Sequence, residues 1–167
     1  MVCEIAANAM YFTGNIDNES AHQFVYYLRE LETRYSDKQN KNITLYLCSD
    51  GGRVTSALRM YDILNQSSLN VTVVCEGYVA SSGTIVMLGA KRRLCTAHTN
   101  FLIHPISSGN DGTLAYLKSN IKFLDTLDDI VCSIYNKHTF ITRTMIDVET
   151  FLTAEQAKQY ALIDEVI

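Results

Sequence analysis

The segment VTVVCEGYVASSGTIVMLGA, residues 71–90, decides how this chain is read. Residues 71–75 are a continuous β-rich apolar run closed by Gly77, as expected of a strand buried on both faces. From Ser81 to Ala90 the side chains turn small, and the pattern predicts a helix covered on most sides. A serine where such a strand turns into a helix lies near backbone N–H groups and the positive end of the helix dipole. Both favour the oxyanion that forms when a carbonyl is attacked. Serine is equally a preferred N-cap, so this stretch alone leaves a nucleophile and a cap both open. It is not the GxSxG elbow, which argues against an α/β-hydrolase.

Working outward, residues 43–48 form a second β-rich run, stopped by Ser49-Asp50-Gly51-Gly52. Two glycines there let backbone approach a ligand and aim amide N–H groups that a side chain would block. The helix that follows carries Val54, Ala57, Leu58, Tyr61 and Leu64 as its apolar stripe. Upstream, residues 10–13 are a short apolar run ending at Gly14. Next comes an amphipathic helix opened by Asp17 or Asn18, with Ala21, Phe24, Val25, Leu28 and Leu31 on one face. Downstream, residues 101–103 form a short strand closed by His104, and Pro105 ends its pairing. The longest periodic segment runs from Thr113 to about Lys137, with Leu117, Ile121, Leu124, Leu127, Val131 and Ile134 in a row. Thr153 and Gln156 make a capping box for a short helix, and residues 162–167 are a terminal strand candidate. Strand and helix in alternation predict an α/β fold with a largely parallel sheet, whose chemistry sits where strands turn into helices.

Composition bounds the rest. The 167 residues suit one domain, and 47% hydrophobic content excludes disorder. A net charge of −4 gives no footprint for nucleic acid, and no stretch nears the roughly 20 apolar residues of a membrane span. The N-terminus lacks the basic and apolar regions of a signal peptide, so a cytoplasmic location is expected. Five cysteines without CxxC spacing are expected to act as small buried hydrophobes, and the scattered histidines form no metal motif, so neither metal nor cofactor is expected.

Taken together, five stretches resemble the caseinolytic (ClpP-type) serine peptidases over nearly the whole chain. They are Phe12-Thr-Gly-Asn-Ile-Asp17, Leu45-Tyr-Leu-Cys-Ser-Asp-Gly-Gly52, residues 71–83, Asn100-Phe-Leu-Ile-His104, and Phe151 to Ala157 with Tyr160 to Asp164. The resemblance implies a ClpP/crotonase-like spiral of βαβ units with a protruding long handle helix, here residues 113–137, in a single domain over 1–167. It implies a serine endopeptidase with Ser81 as nucleophile, His104 as general base, and the backbone N–H groups of Gly52 and Ser82 as oxyanion donors. The acid falls on Glu149, where the family has aspartate; a shorter preceding loop makes Asp147 the alternative. The substrate implied is a peptide or unfolded protein, and the assembly a homo-oligomer of stacked rings, with an AAA+ unfoldase as possible partner.

This sequence departs from the family pattern at Asp50, usually proline, and lacks a glutamine between His104 and Pro105. Only eleven residues precede Phe12, where the family carries a longer segment that meets the ATPase. Two rival readings are a catalytically inactive ring scaffold of the same fold and a crotonase-type acyl-CoA enzyme. The first predicts a missing triad residue; the second does not need a serine–histidine pair at these places.

Overall fold

The computed structural model describes residues 2–167. Its backbone is a sheet with β1 (Val2–Ala6), β2 (Ala9–Ile16), β3 (Asn42–Gly52), β4 (Asn70–Ala80), β5 (Arg92–Cys95) and β8 (Glu165–Val166) in that spatial order. A side branch carries β6 (Asn100–Ile103) and β7 (Thr150–Thr153). The helices are α1 (Asn18–Arg34), α2 (Val54–Gln66), α3 (Ser82–Leu88), α4 (Leu114–His138), α5 (Arg143–Ile146) and α6 (Ala154–Gln159). β2, β3, β4 and β5 pair in parallel, and α1, α2 and α3 make the successive crossovers. This is the largely parallel α/β sheet that the sequence pattern predicts, in the βαβ order that the family resemblance implies.

The core follows from alternation and stripe. Leu45 and Leu47 on β3, Val71 and Val73 on β4, and Phe12 on β2 are buried, as are Phe24, Leu28 and Leu31 of α1. Phe24 meets Phe12 edge-on with ring centroids 6.0 Å apart. α3 is buried at all seven positions, which explains its small and apolar composition.

β4 is longer than its apolar run, and this positions the site. It does not stop at Gly77: residues Thr72–Cys75 pair with β5, whereas Tyr78–Ala80 pair with β6. Against β3 the register jumps from Leu47↔Cys75 to Ser49↔Val79, so β4 carries two extra residues at the change of partner. Gly77 stands there at φ +63°, a region glycine enters without steric cost. A Cβ would have room, its nearest neighbour lying 3.8 Å away, so conformation rather than space selects glycine.

The Ser49–Gly52 segment likewise stays within β3 instead of stopping it. Asn15 pairs with Gly51 after Thr13 pairs with Cys48, a one-residue bulge in β3. The Ser49 hydroxyl closes the bulge, donating to the Gly14 carbonyl at 2.6 Å and accepting from the Gly51 N–H at 3.1 Å. β2 runs on to Ile16 for the same reason.

The long helix divides in two. Leu127, Val131, Cys132, Ile134 and Tyr135 are buried against the body, while no residue before Leu127 is. Leu114, Tyr116, Ile121 and Phe123 expose large apolar surface. The apolar stripe therefore serves the core over its last turns only. Among the described residues no helix is long and apolar enough to cross a membrane.

Four elements are absent from the sequence reading. β1 joins β2 through the two-residue turn Ala7-Asn8, with Ala7 at φ +52°; this pair lacks the glycine that flags such hairpins. β5 begins with two arginines instead of an apolar run, and they pair with β8: Arg93 with Asp164 at 3.0 Å and Arg92 with Glu165 at 2.5 Å. α5 and β7 are four residues each, too short for a period to show. The terminal strand narrows to Glu165–Val166 because Leu162 and Ile163 turn into the core before it.

All five cysteines are unpaired. Burial pushes the Cys3 thiol up to about 12 and Cys95 up to about 11, and raises Cys75 well above its ordinary value. A raised pKa keeps the unreactive thiol form at pH 8. Titration with a thiol reagent at pH 8 should leave Cys3, Cys75 and Cys95 unmodified in the folded protein, and modify all five in guanidinium. Rapid modification of Cys75 in the folded state would contradict the burial of β4.

Candidate active site

The strand-to-helix turn after β4 holds Ser81 at φ +55° and ψ −130°. A non-glycine residue there costs on the order of 1–3 kcal/mol and persists only where surrounding structure enforces it. The enforcement is visible. The Ser81 N–H donates to the Leu102 carbonyl on β6 at 2.7 Å, and its carbonyl accepts from the Thr84 N–H at 3.0 Å. Ser81 occupies the N-cap position of α3, yet its side chain makes no capping hydrogen bond. The capping role left open by the sequence is thus unused, and the hydroxyl is free for other work. Ser82, the first residue of α3, has its hydroxyl buried without a hydrogen-bond partner among the described residues.

Small residues are required beside this turn because backbone packs directly on backbone. A Cβ on Gly51 would lie 2.6 Å from the Ala80 carbonyl oxygen and 2.7 Å from Ser81 Cβ. On Gly52 it would lie 2.2 Å from the Ile16 carbonyl oxygen. Gly51 (φ +89°) and Gly52 (φ +144°) also adopt backbone that side chains disfavour. Gly51 therefore packs directly on the serine turn, and Gly52 packs on Ile16 of β2.

His104 follows β6 and is half-buried. It lines one cleft together with Ser81, Ser82 and Gly52; Ile85 and Val131 supply apolar wall. Its Nδ1 lies 2.7 Å from the Pro105 carbonyl oxygen. A carbonyl only accepts, so this bond requires the proton on Nδ1 and leaves the Nε2 lone pair open in the neutral ring. Nε2 is the atom a general base would use.

The two candidate acids differ in their surroundings. Asp147 is committed elsewhere: its Oδ1 accepts from Arg143 Nε at 2.7 Å, and Arg143 also pairs with Asp128 at 2.6 Å. Glu149 is exposed and makes no side-chain hydrogen bond among the described residues. Its place is set by the antiparallel β6–β7 ladder, where Ile103 faces Thr150. Pairing stops there, so His104 and Glu149 are the residues that immediately follow β6 and precede β7 at the same end of the ladder. The Tyr78 phenol is pushed up by burial, then by the charges of Asp50 and Glu149.

Four of the expected residues, Ser81, Ser82, Gly52 and His104, thus share one cleft. Glu149 stands across the ladder without a bond to the histidine, whose Nδ1 is taken by its own neighbour's carbonyl. Three contributors escaped the sequence reading: Ser49, Thr84 and Tyr135. A hydroxyl inside an otherwise apolar stretch is the only signal any of them gives.

A parallel spiral sheet, a strained serine at a strand-to-helix turn, paired glycines beside it and a histidine in the same cleft define the serine hydrolase class. The comparisons narrow this further. The family model described as Clp protease matches residues 4–167. The chain is 28% identical over 163 residues to the ATP-dependent Clp protease proteolytic subunit of Chlorella vulgaris, covering 94% of this chain and 80% of that one. It is 29% identical over 164 residues to the protein of the same name from Chlorokybus atmophyticus, covering 95% and 72%. This chain belongs to the Clp protease family, and its activity is that of a serine-type peptidase.

Gly51→Ala should reduce hydrolysis of a fluorogenic peptide by about a hundredfold, the scale of misplacing a reacting group by an ångström. It should also lower stability by about 1–3 kcal/mol in chemical denaturation. Gly109→Ala, where a Cβ meets nothing within 4 Å, should change neither.

Proposed function

We propose that residues 1–167 form one endopeptidase domain in which Ser81 is the nucleophile, His104 the general base and Glu149 the acid that orients it. The observation that carries this reading is Ser81 itself: a strained, uncapped serine opening into a cleft shared with a histidine. His104 Nε2 takes the hydroxyl proton as Ser81 Oγ attacks the scissile carbonyl. The N–H groups of Gly52 and Ser82 hold the oxyanion, and His104 returns the proton to the leaving amine. Water then attacks the acyl ester with the same base. Losing one oxyanion donor of this kind typically costs about a hundredfold to a thousandfold in rate.

Support for Glu149 over Asp147 comes from its position at the same end of the β6–β7 ladder as His104, whereas Asp147 is paired with Arg143. In the working arrangement the Glu149 carboxylate replaces the Pro105 carbonyl as acceptor of the Nδ1 proton. A glutamate can fill this role, as Ser-His-Glu triads do.

The substrates proposed are peptides and unfolded proteins. The relatives are named as proteolytic subunits of an ATP-dependent protease, which supports a homo-oligomer of stacked rings and an AAA+ unfoldase as partner. The exposed apolar first half of α4 supports ring-to-ring packing, since an isolated chain would leave that surface in water. Five unpaired cysteines support a reducing, cytoplasmic compartment.

A fluorophosphonate probe should label the wild-type protein and fail to label Ser81→Ala; equal labelling of both would remove Ser81 from the nucleophile role. Glu149→Ala should lower kcat for peptide hydrolysis by about 10³-fold or more, on the scale of disabling a triad acid. Asp147→Ala should cost under about tenfold, the size expected from losing an exposed ion pair that steadies the loop. The reverse order would transfer the acid to Asp147.

A further inference from the structure

Thr84 lies on the third position of α3 and is fully buried. Its hydroxyl oxygen is 2.6 Å from the Ser81 carbonyl oxygen and 2.5 Å from the Tyr135 hydroxyl on α4. The proton directions are fixed by counting. The Ser81 carbonyl can only accept, so the single Thr84 proton goes to it. Tyr135 must then donate its own proton to Thr84 Oγ1. The result is a directed chain, Tyr135 to Thr84 to Ser81, that crosses from the buried end of α4 to the strained turn.

A threonine bonding back to the carbonyl three residues earlier is a common local habit in helices. Two features set this one apart. The carbonyl it holds belongs to a residue in a backbone region that needs outside enforcement. The chain is also completed by a side chain 51 residues away, on another element. Donation from Tyr135 polarises the Thr84 hydroxyl and strengthens its bond to Ser81 in this water-excluded setting. Burial raises the Tyr135 phenol well above its ordinary value, so it remains a donor across the working pH range.

We infer that Thr84 and Tyr135 are positioning residues for the serine peptidase reaction, holding the Ser81 backbone so that its hydroxyl faces the cleft. They touch no reacting atom; they act through the Ser81 carbonyl. This rests on the reading of Ser81 as nucleophile. It also makes the seat of α4 part of the catalytic geometry, since Tyr135 and Val131 of that helix both line the cleft.

The test compares wild type with Tyr135→Phe, Thr84→Val, Thr84→Ser and the Thr84→Val/Tyr135→Phe pair, reading kcat and KM on a fluorogenic peptide and the rate of fluorophosphonate labelling. Tyr135→Phe keeps the ring in the cleft wall and leaves the Thr84 bond in place, so kcat should fall about threefold with KM unchanged. Thr84→Val alone strands the Tyr135 hydroxyl and is expected to be the least stable. The pair removes both partners and keeps the fold, as its melting temperature will report, while kcat and labelling fall about ten- to a hundredfold. Thr84→Ser keeps the hydroxyl and should hold kcat within about threefold of wild type. A folded pair with wild-type kcat and labelling rate overturns the inference, as does a loss confined to KM. Labelling of Ser81→Ala at the wild-type rate would instead overturn the nucleophile assignment beneath it.

Discussion

One strand cannot hydrogen-bond to two different neighbours along one edge without bending, and β4 has to do this. Its first half serves β5 and its second half serves β6. The bend is made by two extra residues around Gly77, and everything at the cleft depends on it. Without the bulge the strand would end beside Cys95, and Ser81 would emerge along the wrong sheet edge. With it, Ala80 pairs with Leu102, and the Ser81 N–H is captured by the Leu102 carbonyl two residues before His104. The bulge therefore brings the serine turn and the histidine strand into one place, although 23 residues separate them in sequence.

A second bulge, in β3, brings the glycines to the same place from the other side. There the constraint is space: Gly51 rests against Ala80 and Ser81 with no room for even a methyl group. Ser49 ties the bulge down by bonding to Gly14 on the neighbouring β2 and to Gly51 within β3 itself. Two adjacent strands, β3 and β4, thus carry bulges, and Gly51 of the one packs against Ala80 and Ser81 at the end of the other. Regular pairing would be more favourable locally, but it would not bring Gly51 against the Ser81 turn.

The sequence made the βαβ order legible because β-rich runs and helical stripes alternate with little ambiguity, and Asp17, Thr113 and Thr153 mark helix starts through side-chain caps. It misled wherever glycine was taken as punctuation. Gly14, Gly51 and Gly77 look like strand ends, yet each lies inside a strand at positive φ beside a shift of register, while Gly52 does close β3. It was silent on β5 and β7, whose strand character comes from partners far along the chain and not from their own composition. That Gly52, Ser81, Ser82 and His104 would come together was legible through family likeness. The Tyr135–Thr84–Ser81 chain was not, because hydrogen-bond direction between distant elements leaves no periodic trace.

The lone proline shows how local covalent structure and chemistry meet. Pro105 has no N–H to continue the β6–β7 ladder, so pairing ends at Ile103 and Thr150 and the chain turns away at the histidine. Its carbonyl then folds back within reach of His104 Nδ1. That bond fixes the tautomer with Nε2 open, which is what proton removal from a serine requires, but a neutral carbonyl stabilises an imidazolium less than a carboxylate does. Exchange of this carbonyl for Glu149 would therefore leave the tautomer unchanged while strengthening the base. Such an exchange would turn an imidazole that shares its cleft with Ile106 and with Val131 and Tyr135 of α4. Its cost is set by how firmly those neighbours are held, so packing on α4 bears on both the proposed base and the proposed nucleophile.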